Sequence, residues 1–257
     1  TLFRRKRSVW SAVMGTPYPP LALVALVATA VALSVRALYY SSEPEVTLQT
    51  VGGSRFDDFL PALVFTRLTS AAFIAHRLYV ITRPEKALTV KLRFFKGSQF
   101  TGQPVVFTGA RRFVTFTVQS WALLGVYFLA SALASACLLF EKQLIAPRVI
   151  SLLFAANFAV AHLVSAATTH VLVPLAWRAA VAEAAGGPVV ISFMRRDGLI
   201  LHNANVILLN LDALLSTAQI DWTALAAPIL WGCQYTVFAW SVGCRKQVFN
   251  CVVWRVG

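Results

Sequence analysis

One hydroxyl and one imidazole in this sequence have the residue types and the setting that nucleophilic chemistry requires. Thr115 lies in the stretch RRFVTFTVQSW, and His202 lies in RRDGLILHNANVILLNLDALL. A neutral imidazole within reach of a threonine hydroxyl can accept its proton as the oxygen attacks a carbonyl carbon. The amides of Asn203 and Asn205 could donate to the oxyanion that develops, although their spacing places them on different helix faces. The alternative for Thr115 is a hydrogen bond to a backbone carbonyl one turn earlier.

A second pair of polar residues also lies inside apolar stretches. Arg67 and Asp212 each interrupt a run of apolar residues, and an unpaired charge in such a place would be costly. We therefore expect an ion pair or a hydrogen-bonded network between the two segments. The alternative is that the Arg67 side chain extends to the outer membrane surface.

The elements that carry these residues are predicted to be transmembrane helices. Apolar residues make up 58% of the 257 residues and charged residues only 13%, whereas a soluble domain has roughly 25% charged residues. The apolar residues form long runs, and a helix that crosses a membrane needs about 20 of them. The prediction is therefore an all-α polytopic membrane protein, a bundle of about six helices. The six stretches are Leu21–Tyr40, Phe59–Ile81, Phe113–Phe140, Val149–Trp177, Leu199–Thr217 and Trp222–Val242.

The distribution of basic residues predicts the topology. With the N-terminus inside, 17 of the 23 Lys and Arg residues fall on inner segments and three on outer loops. This asymmetry is typical of the positive-inside rule, so both termini are expected on the inner, matrix-like side. We expect one membrane domain over residues 1–257, with a basic N-terminal arm at 1–20, a basic interfacial loop at 82–112 and a basic tail at 243–257.

This topology places several polar residues in one layer. At 1.5 Å per helical residue, Thr115 and His202 each lie about 5 Å beyond the inner boundary. His76 and His170 fall near the inner ends of their own spans. We expect His76, His170, Asn203 and Asn205 to line a polar pocket next to the pair. The alternative for His76, His162 and His170 is donation to backbone carbonyls or lipid headgroups.

Basic residues near the inner boundary are expected to contact anionic lipids such as cardiolipin. The stretch KLRFFKGSQF alternates cations with apolar rings, which is typical of a segment that lies in the interface. No basic helix is interleaved with aromatics, so nucleic acid is not an expected partner. Neither a metal site nor a cofactor is predicted, because no metal-ligand spacing occurs. The predicted headgroup residues are Lys91, Arg93, Lys96, Arg111 and Arg112.

Two stretches resemble a known family. RRFVTFTVQSWALLGVYFLASAL is similar to the segment of the androgen-induced membrane hydrolases in which Phe-x-Thr-Phe is followed by a glutamine and an aromatic pair. RRDGLILHNANVILLNLDALL resembles that family's helix in which a histidine precedes a polar pair and an acidic residue. These threonine-dependent enzymes act on fatty acid esters of hydroxy fatty acids. The resemblance covers about Arg111–Trp240 and implies a six-span fold, with Thr115 as nucleophile and His202 as its partner.

Two main functions remain open from the sequence. The basic, acid-free stretch TLFRRKRSVW is typical of what remains after an organellar presequence is cleaved, or of part of such a presequence, and equally of a cytoplasmic anchor. We expect an accessory subunit of a large mitochondrial inner-membrane complex of the respiratory-chain type, with other membrane subunits as neighbours and a lipid-facing polar pocket. The alternative is an active Thr/His lipid-ester hydrolase, with the endoplasmic reticulum or plasma membrane as alternative locations. A transporter is the third possibility, although paired Gly/Pro-broken helices are missing.

Overall fold

Seven stretches of the chain are described by the computed structural model. They are residues 19–39, 46–56, 58–91, 104–142, 147–183, 196–220 and 223–245. Residues 1–18 of the expected N-terminal arm (1–20) and residues 246–257 of the expected tail (243–257) lie outside these stretches, and the remaining residues of both segments are helical.

Helices dominate the described residues, and each of the six apolar stretches coincides with a long helical segment. Two of these segments pass through a π-helical turn, which divides each of them into two α-helical parts. The α-helices are α1 (Pro19–Tyr39), α2 (Leu48–Gly52), α3 (Leu60–Thr82), α4 (Phe116–Leu139), α5 (Pro147–Ala167), α6 (Val173–Glu183), α7 (Arg196–Leu199), α8 (Asn205–Leu215) and α9 (Ala226–Arg245). The π-helical turns are Thr168–Leu172, between α5 and α6, and Ile200–Ala204, between α7 and α8.

Three of the described helical segments are long and apolar enough to cross a membrane. They are Phe116–Leu139, Pro147–Arg178 and Arg196–Leu215. Helix α3 is not in this set because Arg67, His76 and Arg77 lower its mean hydropathy. The expected all-α class agrees with this architecture, and the three apolar helices indicate a membrane protein.

The basic loop between α3 and α4 contains a small sheet that the sequence analysis did not predict. Strands β1 (Leu88–Lys91) and β2 (Pro104–Phe107) pair antiparallel, with Leu88 opposite Phe107 and Lys91 opposite Pro104. Both strands are rich in β-branched residues, which favour a pleated backbone. A short 3₁₀-helix (Gly109–Val114) then leads to α4.

The start of the third span is a correction to the sequence-based boundary. Helix α4 begins at Phe116, not at Phe113, because Thr115 has an extended backbone (φ −81°, ψ 138°) that ends the 3₁₀-helix. Thr115 therefore occupies the N-cap position, which favours residues with short polar side chains.

The core is formed by fully buried aromatic and aliphatic side chains of α3, α4, α5 and α8. They include Ile74, Trp121, Tyr127, Phe128, Phe154 and Leu209. Helices α3 and α4 pack closely: a Cβ on Gly125 would lie 3.2 Å from the Ile74 side chain. Small residues permit this kind of approach between membrane helices.

The short helix α2 and the residues after it close one end of this core. Thr217 N donates to Gly53 O at 3.0 Å, and Arg55 N donates to Leu215 O at 3.1 Å, so this segment is bonded to the end of α8. The Thr217 hydroxyl donates to Gln49 O at 2.6 Å. These bonds fix α2 beside the point where α8 ends.

Candidate functional site

A buried ion pair joins α3 to α8. Arg67 Nε donates to Asp212 Oδ1 at 2.7 Å, and Arg67 Nη2 donates to Oδ2 at 3.3 Å. The side chains are 0% and 1% exposed, so the Arg67 side chain does not extend to the surface. The pair that the sequence predicts between these two segments is present, in the bidentate geometry that orients a guanidinium against a carboxylate.

The remaining donors of Arg67 bind the neighbouring helices. Nη1 donates to the Ser135 hydroxyl at 2.6 Å and to the carbonyl oxygens of Val51 and Ser131, both at 3.1 Å. The Ser135 hydroxyl in turn donates to Gly52 O at 2.7 Å. One guanidinium thus connects α2, α3, α4 and α8, which compensates for the cost of removing its charge from water.

Tyr127 completes this network and was not predicted from the sequence. Its hydroxyl donates to Asp212 Oδ2, and its side chain is buried. The face of α4 that carries Tyr127 also carries Ser131 and Ser135, because each of these residues lies four positions after the previous one. That i, i+4, i+8 pattern of hydroxyls is the signal that could have pointed to the face that meets Arg67.

Thr115 lies at the opposite end of α4, and its hydroxyl contacts the backbone. Thr115 Oγ1 donates to Arg112 O at 2.9 Å, and Thr115 O accepts from Gln119 N at 3.2 Å. The contact with a carbonyl about one turn earlier is the alternative that the sequence left open for this hydroxyl. The side chain is half-buried, so the hydroxyl is not enclosed in the protein core.

His202 lies in a π-helical turn that is attached to α4. The indole Nε1 of Trp121 donates to Leu201 O at 2.8 Å, and the Ser165 hydroxyl donates to Asn203 Oδ1 at 2.8 Å. The turn is thus bonded on either side of His202, to α4 and to α5. Trp121 lies six residues after Thr115, about 9 Å along the helix axis. This attachment brings the histidine turn to the first turns of α4.

The expected polar pocket is only partly assembled. His76 and His170 are exposed on the protein surface, so neither lines an enclosed cavity. Asn205 is buried, and its Oδ1 accepts from the backbone N–H of Val206 at 3.0 Å. Of the four residues predicted to line the pocket, Asn203 lies in the His202 turn, where its side chain accepts the hydrogen bond from Ser165.

A polar seam between α5 and α8 contains the backbone contact that the sequence offered as the alternative for His162, together with a pairing to Asn210 that was not predicted. The His162 ring has Nδ1 2.7 Å from Phe158 O, and Nε2 accepts from Asn210 Nδ2 at 3.2 Å. Because a carbonyl only accepts, Nδ1 carries the proton. Asn203 and Asn210 are seven residues apart, the spacing of one helix face, and this periodicity was the available signal.

The two π-helical turns also indicate that the candidate site lies at the end of the helices where α4 begins. His170 lies in the turn Thr168–Leu172 and His202 in the turn Ile200–Ala204. A π-helical turn inserts a residue into the α-helical ladder and is frequent at functional sites. The local signals in the sequence were Pro174, two residues after the first turn, and Gly198, two residues before the second, because both residue types disturb an α-helical hydrogen-bond ladder.

The predicted headgroup residues lie in and around the basic loop. Arg111 is exposed, and Arg112 Nη1 donates to Ile81 O at 2.8 Å and to Lys86 O at 3.2 Å. Burial lowers the pKa of the Arg112 guanidinium from its ordinary value, and the charge of Asp197 opposes this effect. Lys91 lies in β1, while Arg93 and Lys96 lie outside the described residues.

Comparison with protein families, with curated proteins and with solved structures finds no match. The described residues form a mostly helical protein, and three of their helices are long and apolar enough to cross a membrane. The likeness to androgen-induced hydrolases stays a prediction from the two sequence stretches.

Proposed function

We propose that this chain is a six-span membrane enzyme that hydrolyses lipid esters, with Thr115 as the nucleophile and His202 as the base. The observation that carries the proposal is the Trp121–Leu201 hydrogen bond, which holds the His202 turn beside the N-terminal part of α4. A nucleophile and a base on separate elements need such an attachment, because a misplacement of about 1 Å can cost 100-fold in rate.

The topology proposed with it has both termini on the inner side. Arg112 binds the carbonyl oxygens at the end of α3, and Arg77 pairs with Asp197 at the start of α7. The end of α3 and the starts of α4 and α7 therefore lie at one end of the molecule. Basic residues concentrate at this end, which supports its assignment to the inner face.

The proposed reaction proceeds by acyl transfer to Thr115. The hydroxyl leaves Arg112 O by rotation of its side chain, and its oxygen bonds to the ester carbonyl carbon while its proton passes to His202. The bond to the alcohol oxygen then breaks, and that oxygen takes the proton from His202. Water hydrolyses the acyl-threonine in a second step, with His202 again accepting and returning one proton. Asn203 is the proposed donor to the oxyanion.

The test is hydrolysis of a hydroxy-fatty-acid ester by the purified protein in lipid nanodiscs. Thr115→Ala should reduce the rate at least 100-fold, and Thr115→Ser should keep part of it. Thr117→Ala is the matched control, because Thr117 lies two residues further on, in the first turn of α4, and has no proposed role. Equal rates for the Thr115→Ala and Thr117→Ala proteins would refute the assignment.

The second candidate is an accessory subunit of a large mitochondrial inner-membrane complex of the respiratory-chain type. It is favoured by the contact of the Thr115 hydroxyl with Arg112 O, which is a backbone role that needs no chemistry. Comigration with a respiratory complex on a native gel, without ester hydrolysis by the purified chain, is the expected result. Migration as a small species that retains hydrolytic activity would refute this candidate.

A further inference from the structure

A charged contact joins the C-terminal part of α3 to the start of α7, and three more basic side chains lie within electrostatic range of it. Arg77 Nη2 donates to Asp197 Oδ1 at 2.7 Å. Asp197 also interacts electrostatically with Lys86, Arg196 and Arg112. One cation thus contacts this carboxylate and three more lie within electrostatic range of it, which leaves an excess of about three positive charges at this place. We call these five residues the basic cluster.

The geometry of the cluster leaves guanidinium donors unused. The Nε atoms of Arg77 and Arg112 are buried and have no hydrogen-bond partner within the described residues. The Arg77 side chain is only 12% exposed, whereas that of Asp197 is 57% exposed. A nearly buried arginine that holds one exposed carboxylate through one nitrogen has capacity for a second anion.

We propose that the basic cluster binds the phosphate group of an anionic membrane lipid, with Arg77 as the central contact and Asp197 as a competing internal anion. The proposal is independent of whether Thr115 and His202 react.

Phosphate fits the cluster better than a second carboxylate side chain would. A guanidinium binds phosphate through parallel hydrogen bonds, and each basic residue near a membrane surface adds about 1 kcal/mol of attraction for anionic lipid. Exposed aromatic side chains lie close in the chain to two cluster residues: Tyr79, two residues after Arg77, is 59% exposed and contacts Arg83 through its ring face, and Phe113, next to Arg112, is 38% exposed. Apolar rings beside cations are typical of a site for a lipid headgroup and the acyl carbons below it.

A purely structural role for the cluster predicts something different. If the Arg77–Asp197 pair only joined α3 to α7, loss of either partner would change stability and lipid affinity in the same direction. If Asp197 competes with a bound phosphate, its neutralisation should free Arg77 and strengthen lipid binding. The two substitutions therefore act in opposite directions on lipid affinity, and this difference is the basis of the test.

The test is titration of the full chain, in a zwitterionic detergent, with short-chain phosphatidylglycerol and with short-chain phosphatidylcholine. Arg77→Gln should weaken the apparent affinity for phosphatidylglycerol about fivefold, and Asp197→Asn should strengthen it. Arg178→Gln is the matched control, because Arg178 is an exposed arginine of α6 outside the cluster and should change nothing.

A parallel titration with inorganic phosphate distinguishes the source of the anion. Weak binding of inorganic phosphate and strong binding of phosphatidylglycerol assign the site to a lipid headgroup. Equal affinity for both anions, with the same order of affinity among the variants, assigns it to soluble phosphate. Equal affinity of the wild-type chain for the two lipids, or a shift in the same direction for Arg77→Gln and Asp197→Asn, would overturn the site. Because Asp197→Asn changes one exposed carboxylate, the test holds even if Arg77→Gln fails to fold.

Discussion

Arg67 shows how a single buried charge is made compatible with an apolar surrounding. Its guanidinium has acceptors from the Asp212 carboxylate, a hydroxyl and two backbone carbonyls, so its donors are well satisfied. Such pairs contribute little net stability compared with apolar residues of similar volume, because both charges lose their hydration. Their removal one at a time is costly, since the partner is left buried without a counter-charge.

We predict that Arg67→Met destabilises the protein by about 3–5 kcal/mol. The double variant Arg67→Met/Asp212→Leu should recover most of that loss, because neither charge then remains buried alone. The measurement is the free energy of unfolding in detergent micelles, analysed as a double-mutant cycle.

The control for this cycle is Arg178→Met, which removes an exposed arginine and should change the free energy of unfolding by less than about 0.5 kcal/mol. A double variant that is less stable than Arg67→Met alone would contradict the account. It would mean that the pair contributes net stability beyond compensation of its own desolvation.

At the scale of elements, α2 is held in place by close backbone approach. A Cβ on Gly52 would lie 2.8 Å from the backbone carbonyl carbon of Ala134 in α4. At Gly53 it would lie 2.5 Å from Gln49 O. The absence of a side chain is therefore what allows α2 to reach α4 and to present Val51 O to Arg67.

We predict that Gly52→Ala destabilises the protein by about 1–3 kcal/mol, because the added methyl group must displace a packed backbone. Gly232→Ala is the matched control in α9, where nothing lies within 4 Å of the added carbon. That control should be neutral or stabilising by up to about 1 kcal/mol, as expected for alanine in a helix. Thermal unfolding of both variants measures the difference, and equal effects would mean that α2 does not pack against α4 in this way.

At the scale of the whole molecule, charged and polar residues separate along the helix direction. The basic cluster, Thr115 and the His202 turn lie toward the end where α4 begins, and the Arg67 network lies toward the end where α2 sits against α4 and α8. This separation is consistent with the proposed topology, in which the basic end contacts an anionic lipid surface.

We predict that Lys86 and Lys142 lie on opposite sides of the membrane. Both side chains are exposed; Lys86 lies in the loop that joins α3 to α4, and Lys142 lies just after the end of α4. In a variant without native cysteines, Lys142→Cys should react with a membrane-impermeant maleimide added outside. Lys86→Cys should react only after the membrane is opened. Labelling of both positions from one side would exclude the six-span topology.

The helices and the candidate residues followed from local sequence. Long apolar runs are sufficient to locate helices, since a chain in hydrocarbon must satisfy its backbone internally. Arg67 and Asp212 stood out for the same reason, because a charge within such a run needs a partner. The predicted start of the third span was three residues early, since Phe113 and Val114 are apolar but belong to a 3₁₀-helix.

Only the tertiary structure decided which polar groups meet. Tyr127 and Ser135 belong to an apolar helix, and they gain charged partners because α3 and α8 bring Arg67 and Asp212 to their face of α4. The position of α2 also depends on contacts between segments far apart in the chain, which no local pattern encodes. Each apolar segment forms a helix because a backbone in apolar surroundings must satisfy its own hydrogen bonds, so the sequence of the segment determines the helix. Hydrogen bonds between distant residues exist only once those helices are packed, so the structure determines the network.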